Sequence, residues 1–209
     1  MFRGVRAYRC TLAIAVAAVA SWALPTLASD WTLHFERLAD GQWWRLWTGH
    51  CTHYDTSHLF WDLLMFVVLG AACERRHQGT FAAVLAAMMG TLGFAIWLWC
   101  PDVTQYRGLS GLDTGLFVWF VSDRIRDSWQ ACEPLVSGAW LALCIGLIGK
   151  LLFEATTGQT LFVDSTNFQP LVESHLAGAV CGLAFGLGVH CLRNWKMTIT
   201  LVNGQPSQV

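Results

Sequence analysis

Charge is what this chain has least of. Asp, Glu, Lys and Arg together supply only 13% of its 209 residues, where a water-soluble domain carries about a quarter. The formal net charge of −1 leaves no basic face for nucleic acid, so a nucleic-acid partner is excluded. The eight cysteines lack the paired spacing of a metal site, and Cys144 and Cys181 fall inside apolar runs as small filler. No half of the chain repeats the other, which weighs against a channel or carrier built from paired half-bundles. Nor is there a long polar stretch in which a soluble domain could sit, so residues 1–209 read as a single domain.

Apolar sequence fills the space instead: 55% of the residues are hydrophobic and mean hydropathy is +0.44. Six runs stand out, at about 10–28, 58–73, 80–99, 109–122, 135–153 and 171–192. A helix needs about 20 residues to cross the hydrocarbon, and most of the runs are near that length. The expected fold is an all-α, polytopic bundle of six transmembrane helices in contact with membrane lipid. Arg3, Arg6, Arg9, Arg75, Arg76, Arg124, Arg126, Arg193 and Lys196 flank the runs on one side. Only Arg37, Arg45 and Arg107 lie in the opposite loops, with Lys150 inside the fifth run. Basic residues favour the cytoplasmic side, so both termini are expected there, in a bacterial inner membrane. The first run, ending at Pro25 and Thr26-Leu-Ala28, also has the form of a cleavable signal peptide. Cys51 and Cys100 then lie near the outer face, where an oxidising compartment could pair them.

The fourth run is too short to span. From Leu109 to Ser122 it rises only about 21 Å against a core of about 30 Å, and Asp123, Arg124 and Arg126 hold its inner end. Its start is therefore expected below the outer surface, where irregular backbone survives only beside protein or a water-filled cavity. That start reads Gly108-Leu-Ser110-Gly111. The first N–H groups of a helix point outward unpaired with partial positive charge. The amides of Ser110 and Gly111 are thus suited to an oxyanion formed on a carbonyl attacked by Ser110, and Gly108 lets that carbonyl approach. A glycine-serine packing seam between membrane helices is the plainer alternative.

A partner lies in the sixth run. Gly178, Gly182 and Gly186 recur every fourth residue, and Gly111 and Gly115 make a matching stripe on the fourth run. Two such stripes allow close helix approach. Docking them would bring His175, one turn outward of Gly178, to Ser110, as a base for the serine proton.

At the entry to the second run, His53, His58 and Asp62 follow one another, with His58 and Asp62 at i, i+4 on one face. With these residues assembled, the chain resembles a rhomboid intramembrane serine protease over its second to sixth runs. Gly108-Leu-Ser110-Gly111 resembles the family's nucleophile motif and His175 with Gly178 and Gly182 its base-bearing helix. His53 and His58 resemble its second-span histidines, and Glu74-Arg75-Arg76 the charged stop after that span. Trp44-Arg-Leu-Trp-Thr48, Tyr106-Arg-Gly-Leu-Ser-Gly111 and Gly149-Lys-Leu-Leu-Phe-Glu154 are similar to the rhombosortase branch. The resemblance implies a Ser110–His175 dyad in a water-filled cavity open to the outer face. It also implies an oxyanion site of the Ser110 amide and His58, a transmembrane protein substrate that could carry a C-terminal sorting tail, and no cofactor or metal. Trp43-Trp44-Arg45-Leu46-Trp47 reads as an interfacial anchor.

The chain departs from the family in two places. Asp62 stands where asparagine is common, and an ionised carboxylate there would repel an oxyanion. It is expected either to be protonated or to fix His58 without facing the oxyanion. Thr114 stands where an aromatic residue is common, and Asp113 beside it is a candidate third member of a triad or a structural acid. Lys150 and Glu154, also i, i+4, are read as an internal ion pair or as a grip on substrate. A non-catalytic protein that binds transmembrane helices is the alternative to the protease.

Overall fold

The computed structural model describes residues 8–159, 161 and 171–202. Arg3 and Arg6, counted above towards orientation, lie outside the described residues. Helix α1 (Arg9–Ala23) starts against a carboxylate from elsewhere: the N–H groups of Cys10 and Thr11 each donate to Glu74 at 2.9 Å, and the Thr11 hydroxyl adds a bond of 2.7 Å. An acid at a helix N-terminus satisfies groups that have no intrahelical partner. The first apolar run does not continue as one helix. At Leu24, extended ahead of Pro25, the chain turns by 117° into α2 (Pro25–Trp31), because a residue before proline is disfavoured in helical conformation.

A compact outer loop follows. It contains β1 (Leu33–His34), α3 (Phe35–Ala39), α4 (Arg45–Thr48) and a 3₁₀ turn over Gly49–Cys51. Arg45 does not anchor in headgroups, contrary to the interfacial reading. It is buried, and its Nη1 donates to the carbonyls of Thr32 at 2.6 Å and Ser29 at 3.0 Å, tying off the end of α2. Trp43, Trp44 and Trp47 remain exposed around it. Cys51 and Cys100 are free thiols.

Five long helices form the bundle: α5 (Thr56–Arg76), α6 (Phe81–Trp99), α7 (Ser110–Gln130), α8 (Pro134–Thr157) and α9 (Val172–Val202), with β2 (Gln105–Tyr106) ahead of α7. Among the described residues, α5, α6, α8 and α9 are long and apolar enough to cross a membrane, and the bent α1–α2 pair would make a fifth span. Helix α7 is the central element. Leu112, Leu116 and Trp119 are fully buried along it, and its most extensive contact is with α9.

Two predicted boundaries are corrected. The fourth run is not a 14-residue helix ending at Ser122 but a 21-residue one reaching Gln130, about 31 Å long. Its charged second half stays helical because other helices neutralise it. Asp123 accepts from Arg76 of α5 at 3.1 Å and lies 2.5 Å from His77, and Asp127 accepts from Arg76 at 2.7 Å. The sixth run likewise continues past residue 192 as α9.

The α7–α9 contact is backbone on backbone. A Cβ added at Gly178 or Gly182 would overlap the carbonyls of Gly111 and Gly115, and one at Gly111 would stand 2.8 Å from the Ser174 carbonyl. Gly186 continues the seam against Trp119. Small residues at such positions are what allow helices without a hydrophobic driving force to pack.

Candidate active site

Ser110 opens α7 and His175 stands on the first turn of α9. The Gly111–Ser174 contact has these two residues as its immediate neighbours in sequence. His175 is buried, with 6% of its surface exposed. Its Nδ1 lies 2.8 Å from Glu154 Oε2, which assigns Nδ1 as donor and leaves Nε2 as the basic nitrogen. Among the described residues no hydrogen bond joins Ser110 to His175; the Ser110 amide and carbonyl are engaged by Asp62 and Thr114 instead.

The loop ahead of Ser110 is held from three sides. β2 pairs antiparallel with β1, Tyr106 opposite Leu33, so the outer loop fixes the chain just before the serine. The Tyr106 hydroxyl donates to the Gly108 carbonyl at 3.0 Å. His50, fully buried, packs its ring edge-on to Tyr106 and lies 3.0 Å from the Met89 carbonyl through Nε2. Burial away from water drives the His50 pKa down to about 4, so this histidine is a neutral support.

Asp62 faces the N-terminus of α7. One of its oxygens, Oδ2, accepts from the N–H groups of Leu109 at 2.8 Å and Ser110 at 3.1 Å. The same oxygen lies 3.2 Å from His58 Nε2 and 3.3 Å from His53 Nε2. A helix N-terminus is a ready site for an acidic oxygen. Of the two roles weighed for Asp62, the geometry matches neither fully: it does fix His58, but it also takes the Ser110 amide expected to face the oxyanion. Gly108 is explained differently as well. It has φ 114°, and a Cβ there would stand 2.7 Å from His58 Nε2 and 3.0 Å from Asp62 Oδ2. Glycine is required here so that the loop can lie on the His58–Asp62 pair. Tyr54 stacks on His58 and Arg107 lies over Tyr54, which closes this side.

The acid beside His175 is Glu154 and not Asp113. Asp113 is buried one turn into α7, and its Oδ1 has no hydrogen-bond partner among the described residues. Lys150 and Glu154 form the i, i+4 pair at 2.7 Å, but the pair also reaches across to α9. Sequence reading missed that reach. The available signal was two charges in an apolar run, since ionisable groups at that depth generally point into the bundle. No group of three His, Cys, Asp or Glu suited to hold a metal ion occurs among the described residues.

The histidines and Asp62 before and on α5, the glycine-flanked serine at the start of α7, and the histidine and glycine stripe of α9 thus converge at one end of the bundle. No curated protein matches the chain. Residues 40–191, well over half of its length, match the family model of the Rhomboid domain. This multi-pass membrane chain belongs to the rhomboid family of intramembrane proteases.

Proposed function

We propose that the protein is an intramembrane serine endopeptidase with Ser110 as nucleophile and His175 as base. His175 Nε2 takes the Ser110 proton as Oγ attacks the scissile carbonyl, and returns it to the leaving amine. Water then hydrolyses the acyl-serine by the same route in reverse. The oxyanion draws on the Ser110 amide and His58 Nε2, the donors that Asp62 engages at rest. Asp62 keeps these donors aligned until the substrate oxygen takes its share of them. The observation that supports this reading is the glycine-on-glycine seam between α7 and α9, where the Gly111 and Ser174 backbones meet one residue away from Ser110 and His175.

The basic residues around the bundle support cytoplasmic termini and a site open towards the outer face of a bacterial inner membrane. A single-span protein cut near small residues at the outer end of its helix suits that placement. The likeness to the rhombosortase branch supports a substrate with a C-terminal sorting tail.

A second reading, a helix-binding protein without catalysis, is favoured by one feature: Asp62 accepts the Ser110 amide. A fluorophosphonate probe separates the two. Labelling of wild type and none of Ser110→Ala is expected. Absence of labelling in wild type across several detergents and lipids would establish the binder instead.

A further inference from the structure

Helix α8 turns almost all of its surface outward. Of its 24 residues only Ser137 and Glu154 are buried, whereas Leu135, Ile145 and Leu152 stand well exposed on a face suited to lipid. A carboxylate with no exposed surface on such a helix is costly unless every oxygen is engaged. Both oxygens are: Lys150 Nζ lies 2.7 Å from Oε1 and 2.8 Å from Oε2, Leu161 N donates to Oε1 at 3.3 Å, and His175 Nδ1 lies 2.8 Å from Oε2.

Resting on the serine-protease reading, we propose that Glu154 is a positioning residue that completes a Ser110–His175–Glu154 triad, with Lys150 holding the glutamate in place. Two candidates compete for His175 Nδ1. Glu154 is at 2.8 Å and Lys150 at 3.5 Å, and the shorter, charge-assisted contact decides. The glutamate accepts the Nδ1 proton, so the Nε2 lone pair is the one left for the serine hydroxyl. When Nε2 takes that proton, the carboxylate faces the imidazolium that forms, and it stays ionised throughout. Lys150 balances the glutamate's charge in the resting state and supplies no proton. Thr114 stands where the family often has an aromatic residue, so no ring from that position packs on His175. The α8 carboxylate does that orienting through a hydrogen bond.

The test is the rate of fluorophosphonate labelling, separated into kinact and KI, on purified full-length protein in lipid nanodiscs. Wild type is labelled and Ser110→Ala is not; failure of that pair overturns the protease reading. Given that pair, Glu154→Gln is expected to lower kinact by at least about a hundredfold, the direction set by loss of the correct tautomer. KI and the melting temperature stay near wild type, and Glu154→Asp recovers part of the rate. A folded Glu154→Gln labelled within about threefold of wild type would overturn the triad. If Glu154→Gln does not fold, ring-¹⁵N histidine in wild type decides, with His175 assigned by its loss in His175→Ala. A proton on Nδ1 supports the proposal and a bare Nδ1 overturns it, independently of labelling.

Discussion

Two buried aspartates sit at opposite ends of the α5–α7 pair, and they are built differently. Asp123, beside the C-terminal end of α5, faces two guanidinium groups, Arg76 at 3.1 Å and Arg126 at 3.2 Å, with His77 at 2.5 Å and with Asp127 and Arg124 extending the network. Asp62, near the start of α5, forms no ion pair with an arginine or lysine among the described residues. Two amides donate to it, and the His58 and His53 imidazoles lie 3.2 Å and 3.3 Å away; amide donors can pass a hydrogen bond to another oxygen. A saturated ionic cluster clamps helices. A carboxylate held by backbone amides positions them while leaving them available, as an oxyanion site needs.

Breaking the frame on which the Ser110 site depends should have the largest effect. Gly178→Leu drives a side chain into the Gly111 carbonyl and is expected to abolish labelling and folded yield. Gly188→Leu, with open space around it, should leave both unchanged; equal loss in the two would mean that the seam is not specific.

The next test sharpens the role of Asp62. Asp62→Asn keeps an oxygen for the Leu109 and Ser110 amides and should label at close to the wild-type rate. Asp62→Leu leaves those donors buried and unpaired, at about 1–3 kcal/mol each, and should label at least about tenfold more slowly. Equal losses in both variants would show that the charge itself is needed.

At the Asp123 end, Asp123→Asn removes the charge facing Arg76 and Arg126, although Asp127 still accepts from Arg76, and is expected to cost about 2 kcal/mol, read as a lowered melting temperature. Labelling at low temperature should be kept. A variant that stays folded yet loses labelling would erase the distinction between clamp and site.

The last effect appears only in acid and concerns His50. Its folded pKa of about 4 lies below the ordinary histidine value of 6.5, so between these values the unfolded chain binds a proton that the native one does not. Its contribution is complete above pH 6.5. It declines as pH falls, by about 1.4 kcal/mol per unit. Thermal inactivation measured from pH 7 to 4.5 should show this, and His50→Gln should flatten the slope.

Much of this was readable along the chain. Apolar runs located the bundle helices, since a membrane helix satisfies its own backbone and needs only a lipid-compatible surface. Glycines at every fourth residue located the α7–α9 seam because helical geometry puts them on one face. The errors fell where a distant group decided the outcome. The length of α7 could not be read from Asp123 and Arg124 alone, since the groups that neutralise Asp123 include Arg76 and His77 beyond the end of α5. The burial of Arg45 follows from carbonyls left over at the end of α2, which no local pattern announces.

By itself, then, the sequence determined which segments are helical and apolar, which glycines permit contact, and which serine, histidines and acids lie near helix ends. Those properties depend on periodicity and composition within single elements. Only the tertiary structure decided that Asp62 accepts the Ser110 amide, that Gly108 lies on His58, and that Glu154 rather than Asp113 meets His175. Hydrogen bonds are directional and short-ranged, so partners tens of residues apart are chosen by how helices rotate and settle against one another.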